Sequence, residues 1–481
     1  MAAYNKVNGI PCTVQPFLRS IRAQWNFNGI ICTDGGAVGL LVTDHKYFPD
    51  VAQAAAATIR ASVGQFLDRA TSSVHRAVDE KLLTEADINE VLKNTFRVMI
   101  RLGMLDPPAM VPYNTIARSD PWLTDDHKAV AKLVTLKSIV LLKNSGNLLP
   151  LDRQAVKSIA VIGPLANEVL YDWYSGQPPY AINPLQGIRA KAGPGVRVDY
   201  AADNQNDAAA ALAKSADVAV VCVGSDPLCG AAWAKTVSTS EGKESVDRKT
   251  INLDDEDLVR QVYAANPRTI VVLISSFPYA INWTERNIPA IIHMTHCSQE
   301  EGSALADVLF GDYNPAGRLV QTWPKSLDQV PPLMDYDIRH GRTYMYFNGE
   351  PLYPFGFGLS YTSFEYSNLR TSAEVLSPDW PVTVSVDVKN AGARDGEEVV
   401  QLYISHLNSA VERPREELKG FQRVAIKAGE TRTVTMTLPA SRLAYWNTRT
   451  HDWTIEGDRV KLMVGASSAD IRADKTIVVT P

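Results

Sequence analysis

The 481-residue chain is too long for one hydrophobic core and suits two to four domains. With 45% hydrophobic and 21% charged residues it has the composition of a soluble globular protein, and a net charge of −5 argues against a nucleic-acid or other polyanionic partner. No apolar run approaches the roughly 18 residues that span a bilayer, so no membrane partner is expected, and no secretory signal is visible at the N-terminus. The five cysteines (Cys12, Cys32, Cys222, Cys229 and Cys297) lack metal-site spacing, and their odd number argues against a complete disulfide framework. Most read as buried core thiols.

In chain order, the first informative stretch is Gly29-Ile30-Ile31-Cys32-Thr33-Asp34-Gly35-Gly36-Ala37. A short β-branched run ends in a carboxylate followed by two glycines, the pattern of a buried parallel strand that delivers one acidic side chain to the rim of a sheet or barrel. The glycines permit a sharp turn and leave the space beside Asp34 free of side-chain bulk. On local grounds alone, an N-cap or turn role for such an aspartate is the commoner one.

Three motifs in order change that balance. Tyr4-Asn5-Lys6-Val7-Asn8-Gly9-Ile10-Pro11, then Leu18 to Gly29 with Trp25-Asn26-Phe27-Asn28-Gly29 at its end, then Thr33-Asp34, resemble glycoside hydrolase family 3. There a YNxxNGxP strand and a helix ending near W-x-F-x-G lead to the strand with the nucleophilic aspartate. The resemblance implies that Asp34 is the nucleophile and makes Tyr4 a candidate sugar contact. Gly35 departs from it, since many members carry Trp or Cys there. It also implies that the chain starts inside the sixth strand of a (β/α)8 barrel. A whole barrel needs about 250 residues and only about 100 precede the next domain, so strands one to five are missing.

Residues 50–105 read as helices. Ala52 to Ile59 is alanine-rich. Thr84 with Asp87 three residues on is a capping-box variant, and Ile88, Val91, Leu92, Thr95, Phe96 and Met99 repeat at helical spacing. Gly103 closes that helix and Pro107-Pro108 forbid its continuation. Arg101-Leu102-Gly103-Met104-Leu105-Asp106 matches the R-x-G-x-L/F-D close of the family's barrel. The expected organisation is a barrel remnant over residues 1–106 and a linker over 107–124.

Residues 125–330 should form an open α/β sandwich. A helix is expected from Ala129 to Leu142. Ile159 to Gly163, Val218 to Gly224, Thr269 to Ile274 and Ala290 to Met294 are near-continuous apolar strands, with helices at Asp255 to Ala264 and Glu301 to Leu309. Such strands imply a parallel sheet covered on both faces. No G-x-G-x-x-G follows any of them, which disfavours a dinucleotide site. Residues 331–361 form an aromatic connector; Gly341 to Phe347 and Pro351 to Tyr361 resemble the family's R-Y-F…PLYPFG-G-LSYT segment. From 362 to 481 the hydrophobic period becomes two, most cleanly in Val382 to Val388, and points to a fibronectin type III-like β-sandwich.

Retaining glycoside hydrolysis needs two carboxyl groups about 5 Å apart, one ionised and one protonated. The partner of Asp34 is sought after the strand ending at Gly224, because functional residues gather at the carboxyl ends of open α/β sheets. Glu241-Gly242-Lys243-Glu244-Ser245-Val246-Asp247-Arg248 resembles the family's E-G-x-D-R segment with stretched spacing. Glu241 keeps the Glu-Gly pair and is favoured as acid/base; Glu244 keeps the distance to Asp247-Arg248 and is the alternative. Asp172-Trp173-Tyr174-Ser175-Gly176-Gln177-Pro178-Pro179-Tyr180 resembles a segment of xylosidase-like members, and Trp173 and Tyr174 are candidate sugar-stacking residues. A packed loop is the equal alternative. His293 and His296 lack a third metal ligand, and His296-Cys297-Ser298 lacks a nucleophile elbow. No cofactor is implied. The expected activity is that of a retaining, exo-acting β-glycosidase on an oligosaccharide or on an aryl or alkyl β-glycoside. The incomplete barrel makes a homodimer or a partner chain supplying the missing strands the expected association. The alternatives are an incompetent fragment and a carbohydrate-binding scaffold.

Overall fold

The computed structural model describes residues 1–116, 123–172, 174–228, 242, 248–296 and 298–481. The chain divides into two units, Met1–Pro121 and Trp122–Pro481.

In the first unit, β1 (Lys6–Val7) and β2 (Ile10–Pro11) form a short hairpin, followed by α1 (Phe17–Gln24). The Ile30–Thr33 stretch is not the regular strand its sequence suggests. It makes single parallel bridges, Thr33 to Ala2 on one side and Cys32 to Gln65 on the other. Both sides are hydrogen-bonded: the Ala2 N–H donates to the Cys32 carbonyl (2.8 Å) and the Thr33 N–H to the Gln65 carbonyl (2.9 Å). Each neighbour offers one bridging residue, so the ladder never lengthens into a strand. The order is nevertheless that of a β/α barrel, parallel segments with helices between them.

Helices α2 (Ala37–Thr43), α3 (Val51–Arg60), α4 (Thr71–Asp79) and α5 (Glu85–Arg101) complete this unit. The alanine content of α3 has a packing reason. Ala52, Ala54, Ala55 and Ala56 are all buried, and α3 packs against both α2 and α4. The Thr84–Asp87 capping box forms as expected, a contribution of about 1 kcal/mol. At the other end, the Gly103 N–H donates to the Ile100 carbonyl and the Met104 N–H to the Met99 carbonyl, the paired bonds of a Schellman close.

The second unit opens with α6 (Asp125–Ser138). The helix expected over 129–142 stops at Ser138, and β3 (Val140–Asn144) takes the remaining residues. Ile139 to Leu142 are apolar on every side and satisfy either period; the buried sheet edge claims them. There follow β4 (Ser158–Ile162), α7 (Pro184–Ala192), β5 (Arg197–Ala201), α8 (Ala208–Lys214), β6 (Val218–Gly224), α9 (Glu256–Ala265), β7 (Thr269–Ile274), α10 (Asn282–Asn287), β8 (Ala290–Met294) and α11 (Glu301–Leu309). Among the described residues the strand order is β3-β8-β7-β6-β4-β5, parallel except for β3.

Alternate residues of these strands feed two cores. Ile159, Val161, Val220, Cys222, Val272 and Ile292 pack with α7 and α11; Ala160, Ile162, Val221, Val223, Val271 and Ile291 pack with α8 and α9. That double burial explains why the strands read as unbroken apolar runs. The chain steps from β4 outward to β5 and then back across to β6. The crevice at the carboxyl ends of β4 and β6 is therefore the topological switch point, where open α/β sheets collect ligands.

After the short α12 (Thr343–Tyr346) the sandwich begins. Strands β9 (Phe364–Thr371), β11 (Val382–Asn390) and β14 (Thr431–Leu438) make one sheet. The other is built from β10 (Val375–Leu376), β12 (Gly396–His406), β13 (Glu417–Ile426), β17 (Asp458–Ser467) and β18 (Asp470–Val479). A small hairpin, β15 (Tyr445–Asn447) with β16 (Asp452–Thr454), lies outside both. The period-two residues Val382, Val384, Val386 and Val388 are buried between the sheets, as the alternation predicts.

Candidate active site

Asp34 ends the central parallel segment of the first unit, partly exposed, at the turn into α2. Gly36 makes that turn with φ +78°, a conformation a side chain disfavours. The Gly35 N–H donates to Asp34 Oδ1 (2.8 Å). The Tyr4 hydroxyl donates to the Gly35 carbonyl (2.7 Å), so Tyr4 lies beside the Asp34 turn. His45 Nε2 in turn contacts the Tyr4 carbonyl (2.7 Å). Sequence reading missed His45, and also Asp68. Asp68 lies three residues beyond the bridging Gln65 and accepts from the Val38 N–H (3.3 Å), occupying the otherwise uncapped start of α2. Thr33 Oγ1 accepts from the Leu67 N–H (2.9 Å), which fixes this neighbouring segment beside the Asp34 turn. No pattern in the sequence separates Asp68 from an ordinary surface aspartate.

In the second unit, the polar groups collect at the carboxyl ends of β4, β6, β7 and β8. Ser225 follows β6 directly and is 1% exposed. Its Oγ lies 2.9 Å from His296 Nε2, and the Ser276 Oγ lies 3.0 Å from His296 Nδ1. With the imidazole neutral, one nitrogen donates and the other accepts, so both hydroxyls are satisfied. Burial lowers the His296 pKa, against the pull of Asp226 and Asp172 upward. His296 thus ties together the ends of three strands. Burial, and then the Asp226 charge, raise the Glu168 carboxyl pKa.

His293 is a core residue. Burial pushes its pKa down to about 4, Nδ1 lies 3.2 Å from the Leu273 carbonyl, and the ring meets Trp323 edge-on at 5.1 Å. Among the described residues no group of three or more His, Cys, Asp or Glu side chains is arranged to hold a metal ion.

Glu241, Glu244 and Trp173 lie outside the described residues. Tyr174 is 76% exposed. The Asp172 carboxylate holds its turn by accepting from the Tyr174 N–H (2.9 Å) and the Ser175 hydroxyl (2.7 Å). The end of this segment is anchored: the Tyr180 hydroxyl donates to Glu300 Oε1 (2.7 Å), and burial together with that carboxylate pushes its pKa up to about 12. Among its described residues the segment is largely exposed and anchored at Tyr180, with the Tyr174 ring toward solvent.

The exit of the loop that contains the two glutamates is visible at Arg248. Its guanidinium lies over the Phe277 ring at 3.6 Å and near that of Tyr279 at 4.9 Å. Next to this stack opens a cavity of about 540 Å³, lined also by Arg342, Tyr344, Phe347 and Phe355 from the aromatic connector.

Residues 139–361 match the Glycosyl hydrolase family 3 C-terminal domain, and residues 398–468 match the Fibronectin type III-like domain. The chain is 33% identical to a beta-xylosidase of Formosa agariphila, over 100% of this chain and 69% of that protein. It is 30% identical to a periplasmic beta-glucosidase of Salmonella typhimurium, over 98% of this chain and 66% of the relative. Among solved structures, a β-glucosidase from Erythrobacter marinus superposes with a TM-score of 0.85 at 28% identity, covering 99% of this chain and 67% of that one. The beta-D-glucoside glucohydrolase of Trichoderma reesei gives 0.83 at 27% identity, covering 100% and 73%. The chain thus spans about two thirds of the length of these relatives.

Proposed function

The chain belongs to glycoside hydrolase family 3, and from that premise we propose that it removes terminal β-linked xylose or glucose from the non-reducing end of a glycoside, with retention of configuration. Asp34 is the nucleophile in this reading. Its carboxylate attacks the anomeric carbon as the leaving oxygen departs, giving a glycosyl-enzyme ester. Glu241, with Glu244 as the alternative, protonates the leaving oxygen and then takes a proton from the water that hydrolyses the ester. The observation that carries the reading is the Asp34 turn, a carboxylate at the rim of a parallel segment with the Tyr4 hydroxyl fastened to the next carbonyl. Tyr174, exposed on its Asp172-held turn, supplies a sugar-stacking face in this reading. The names of the relatives support both sugars, and the 172–180 segment favours xylose.

The test is release of p-nitrophenol from aryl β-xylosides and β-glucosides, by the chain alone and with the remaining third of the relatives' length supplied as a separate segment. Asp34→Ala is expected to lower turnover by at least ~10³-fold, the scale on which a lost nucleophile acts. Azide should restore it with an α-glycosyl azide as product, because the anion enters from the vacated face. Azide rescue of Glu241→Ala or Glu244→Ala should instead give the β-glycosyl azide, and whichever variant does so identifies the acid/base. Undiminished turnover by Asp34→Ala would remove the proposal.

A further inference from the structure

We infer that His45 is a positioning residue for Asp34 and acts through Tyr4; the inference rests on the catalytic reading above.

The Asp34 turn needs a hold from outside itself. Its carboxylate stands before Gly35 and Gly36, the residue type whose backbone resists rotation least. Side-chain packing does not supply that hold. A Cβ on Gly35 would meet nothing within 4 Å, and one on Gly36 would come no closer than 4.0 Å to Asp68 Oδ1. Hydrogen bonds to the N-terminal segment supply it instead. The Asp34 N–H donates to the Ala2 carbonyl (3.1 Å), and the Tyr4 hydroxyl donates to the Gly35 carbonyl (2.7 Å). Gly35 is also the residue that orients the carboxylate, since its N–H donates to Asp34 Oδ1 (2.8 Å).

Tyr4 is held in turn at its other end. Its carbonyl lies 2.7 Å from His45 Nε2, and because a carbonyl can only accept, that nitrogen carries the proton. His45 stands two residues past the end of α2, on backbone that is itself fixed. The His45 N–H donates to the Leu40 carbonyl (2.9 Å) and the Tyr47 N–H to that of Leu41 (2.9 Å), whose side chain is fully buried. Tyr4 therefore spans α2. Its hydroxyl is bonded to the turn that begins the helix and its carbonyl to the turn that ends it. A nucleophile must stay within reach of the anomeric carbon, and a displacement of about 1 Å costs on the order of 10²-fold. Without the His45 bond, the Tyr4 backbone gains freedom and the Gly35 tether beside Asp34 slackens.

The experiment compares His45→Gln, His45→Asn and His45→Ala with the wild-type chain. The glutamine amide nitrogen reaches the place of Nε2 and keeps the donor, whereas asparagine reaches only the place of Nδ1. That pair carries the comparison if alanine fails to fold. The probe is a 2-deoxy-2-fluoro-β-glycosyl fluoride, xylosyl or glucosyl, applied to the chain alone and with the separate segment supplied as above. Asp34 displaces fluoride from the anomeric carbon, and the stable ester is counted by mass. The inactivation rate constant at saturation should fall about 10- to 100-fold in the asparagine and alanine variants, with the half-saturating concentration changed less than about threefold. Glutamine should stay within about threefold of wild type. An equal loss in all three variants, or none in any, overturns the inference. Tyr4→Phe should lose about as much as His45→Ala, and the double variant no more than either. Losses that multiply would mean that His45 does not act through Tyr4, and overturn it as well. A second readout needs no chemistry at the site. Hydrogen exchange of the amides at 33–37 in the folded chain should quicken about tenfold in the asparagine and alanine variants and not in the glutamine variant, while the amides of α5 keep their rates. Unchanged exchange at 33–37 overturns the inference. If the wild-type chain is not labelled at Asp34 under either condition, the catalytic reading fails, and the exchange comparison still decides whether His45 holds the turn.

Discussion

Glu301 is 1% exposed at the start of α11, and its Oε2 has no hydrogen-bond partner among the described residues. Burial pushes its pKa up from 4.5 to about 8. The folded chain therefore keeps a proton that the unfolded chain releases near its ordinary value. The stabilising contribution is fully present below about pH 4.5, falls as pH rises, and is lost by about pH 8, an effect of order a few kcal/mol. Glu301→Gln keeps the shape and removes the titration. Its unfolding free energy should fall by at least about 2 kcal/mol less than wild type between pH 5 and pH 8, measured by urea denaturation at each pH. Parallel profiles for the two proteins would show that this carboxyl does not titrate in that window. Both members of the adjacent pair Glu300-Glu301 are buried, and nothing in the sequence announces which of them finds a hydroxyl partner there. Glu300, the residue before α11, bonds the Tyr180 hydroxyl, while Glu301, the first residue of the helix, acts electrostatically on the buried Cys222.

Helices α7 and α11 cross with their backbones in contact. A Cβ on Gly187 would lie 2.0 Å from the Gly302 carbonyl oxygen, and one on Gly302 would lie 1.9 Å from that of Asn183. The crossing also sets the loop that presents Tyr174, since the Gly302 N–H donates to the Ile182 carbonyl (2.7 Å) and the Ile182 N–H to that of Gln299 (2.9 Å). Overpacking against side chains costs about 1–3 kcal/mol, and here the obstacle is backbone on both sides. Gly302→Ala should therefore lower stability by about 3 kcal/mol or more in urea denaturation. Gly35→Ala, with nothing within 4 Å of the added carbon, should stay within about 0.5 kcal/mol of wild type. Equal losses for the two would refute this account of the crossing. At this scale the sequence was legible where one period had no competitor. Strands β6, β7 and β8 occupy the residues their β-branched runs mark, and α5 begins at its capping box. It was less so where two periods coincide, as at Ile139 to Leu142, or where partners decide. The Ile30–Thr33 run has every strand residue it needs and makes single bridges only, because its neighbours offer no more.

In the second unit, the α/β sheet and the β-sandwich are joined by buried charge. Arg318 Nη2 meets Glu398 Oε1 at 3.0 Å, with side chains 9% and 5% exposed. Glu397 binds Lys137 (2.7 Å) and Arg423 (3.1 Å) and accepts from the Tyr313 hydroxyl (3.1 Å). Burial works against ionisation of Glu397, yet its two cations hold its pKa below the ordinary carboxylate value. Of these links, the three between the sheet and the sandwich join positions 80, 84 and 260 residues apart, and no local period in the sequence encodes them. The same distance explains why the proposed pair, Asp34 with Glu241 or Glu244, is suggested by the order of motifs and not by any spacing. Buried pairs are costly to break singly and cheap to replace together, since a lone charge is left without its compensation. Arg318→Met and Glu398→Leu should each lower the unfolding free energy of the second unit by about 3–5 kcal/mol, while the double variant loses less than either. The check is a double-mutant cycle in urea, followed on the cooperative transition that carries the sandwich. Glu398 also accepts from the Val399 N–H (3.0 Å), so the leucine variant loses a backbone partner as well and should be the worse of the two singles. Single variants within about 0.5 kcal/mol of wild type would mean that the apolar contacts alone hold the sandwich to the sheet.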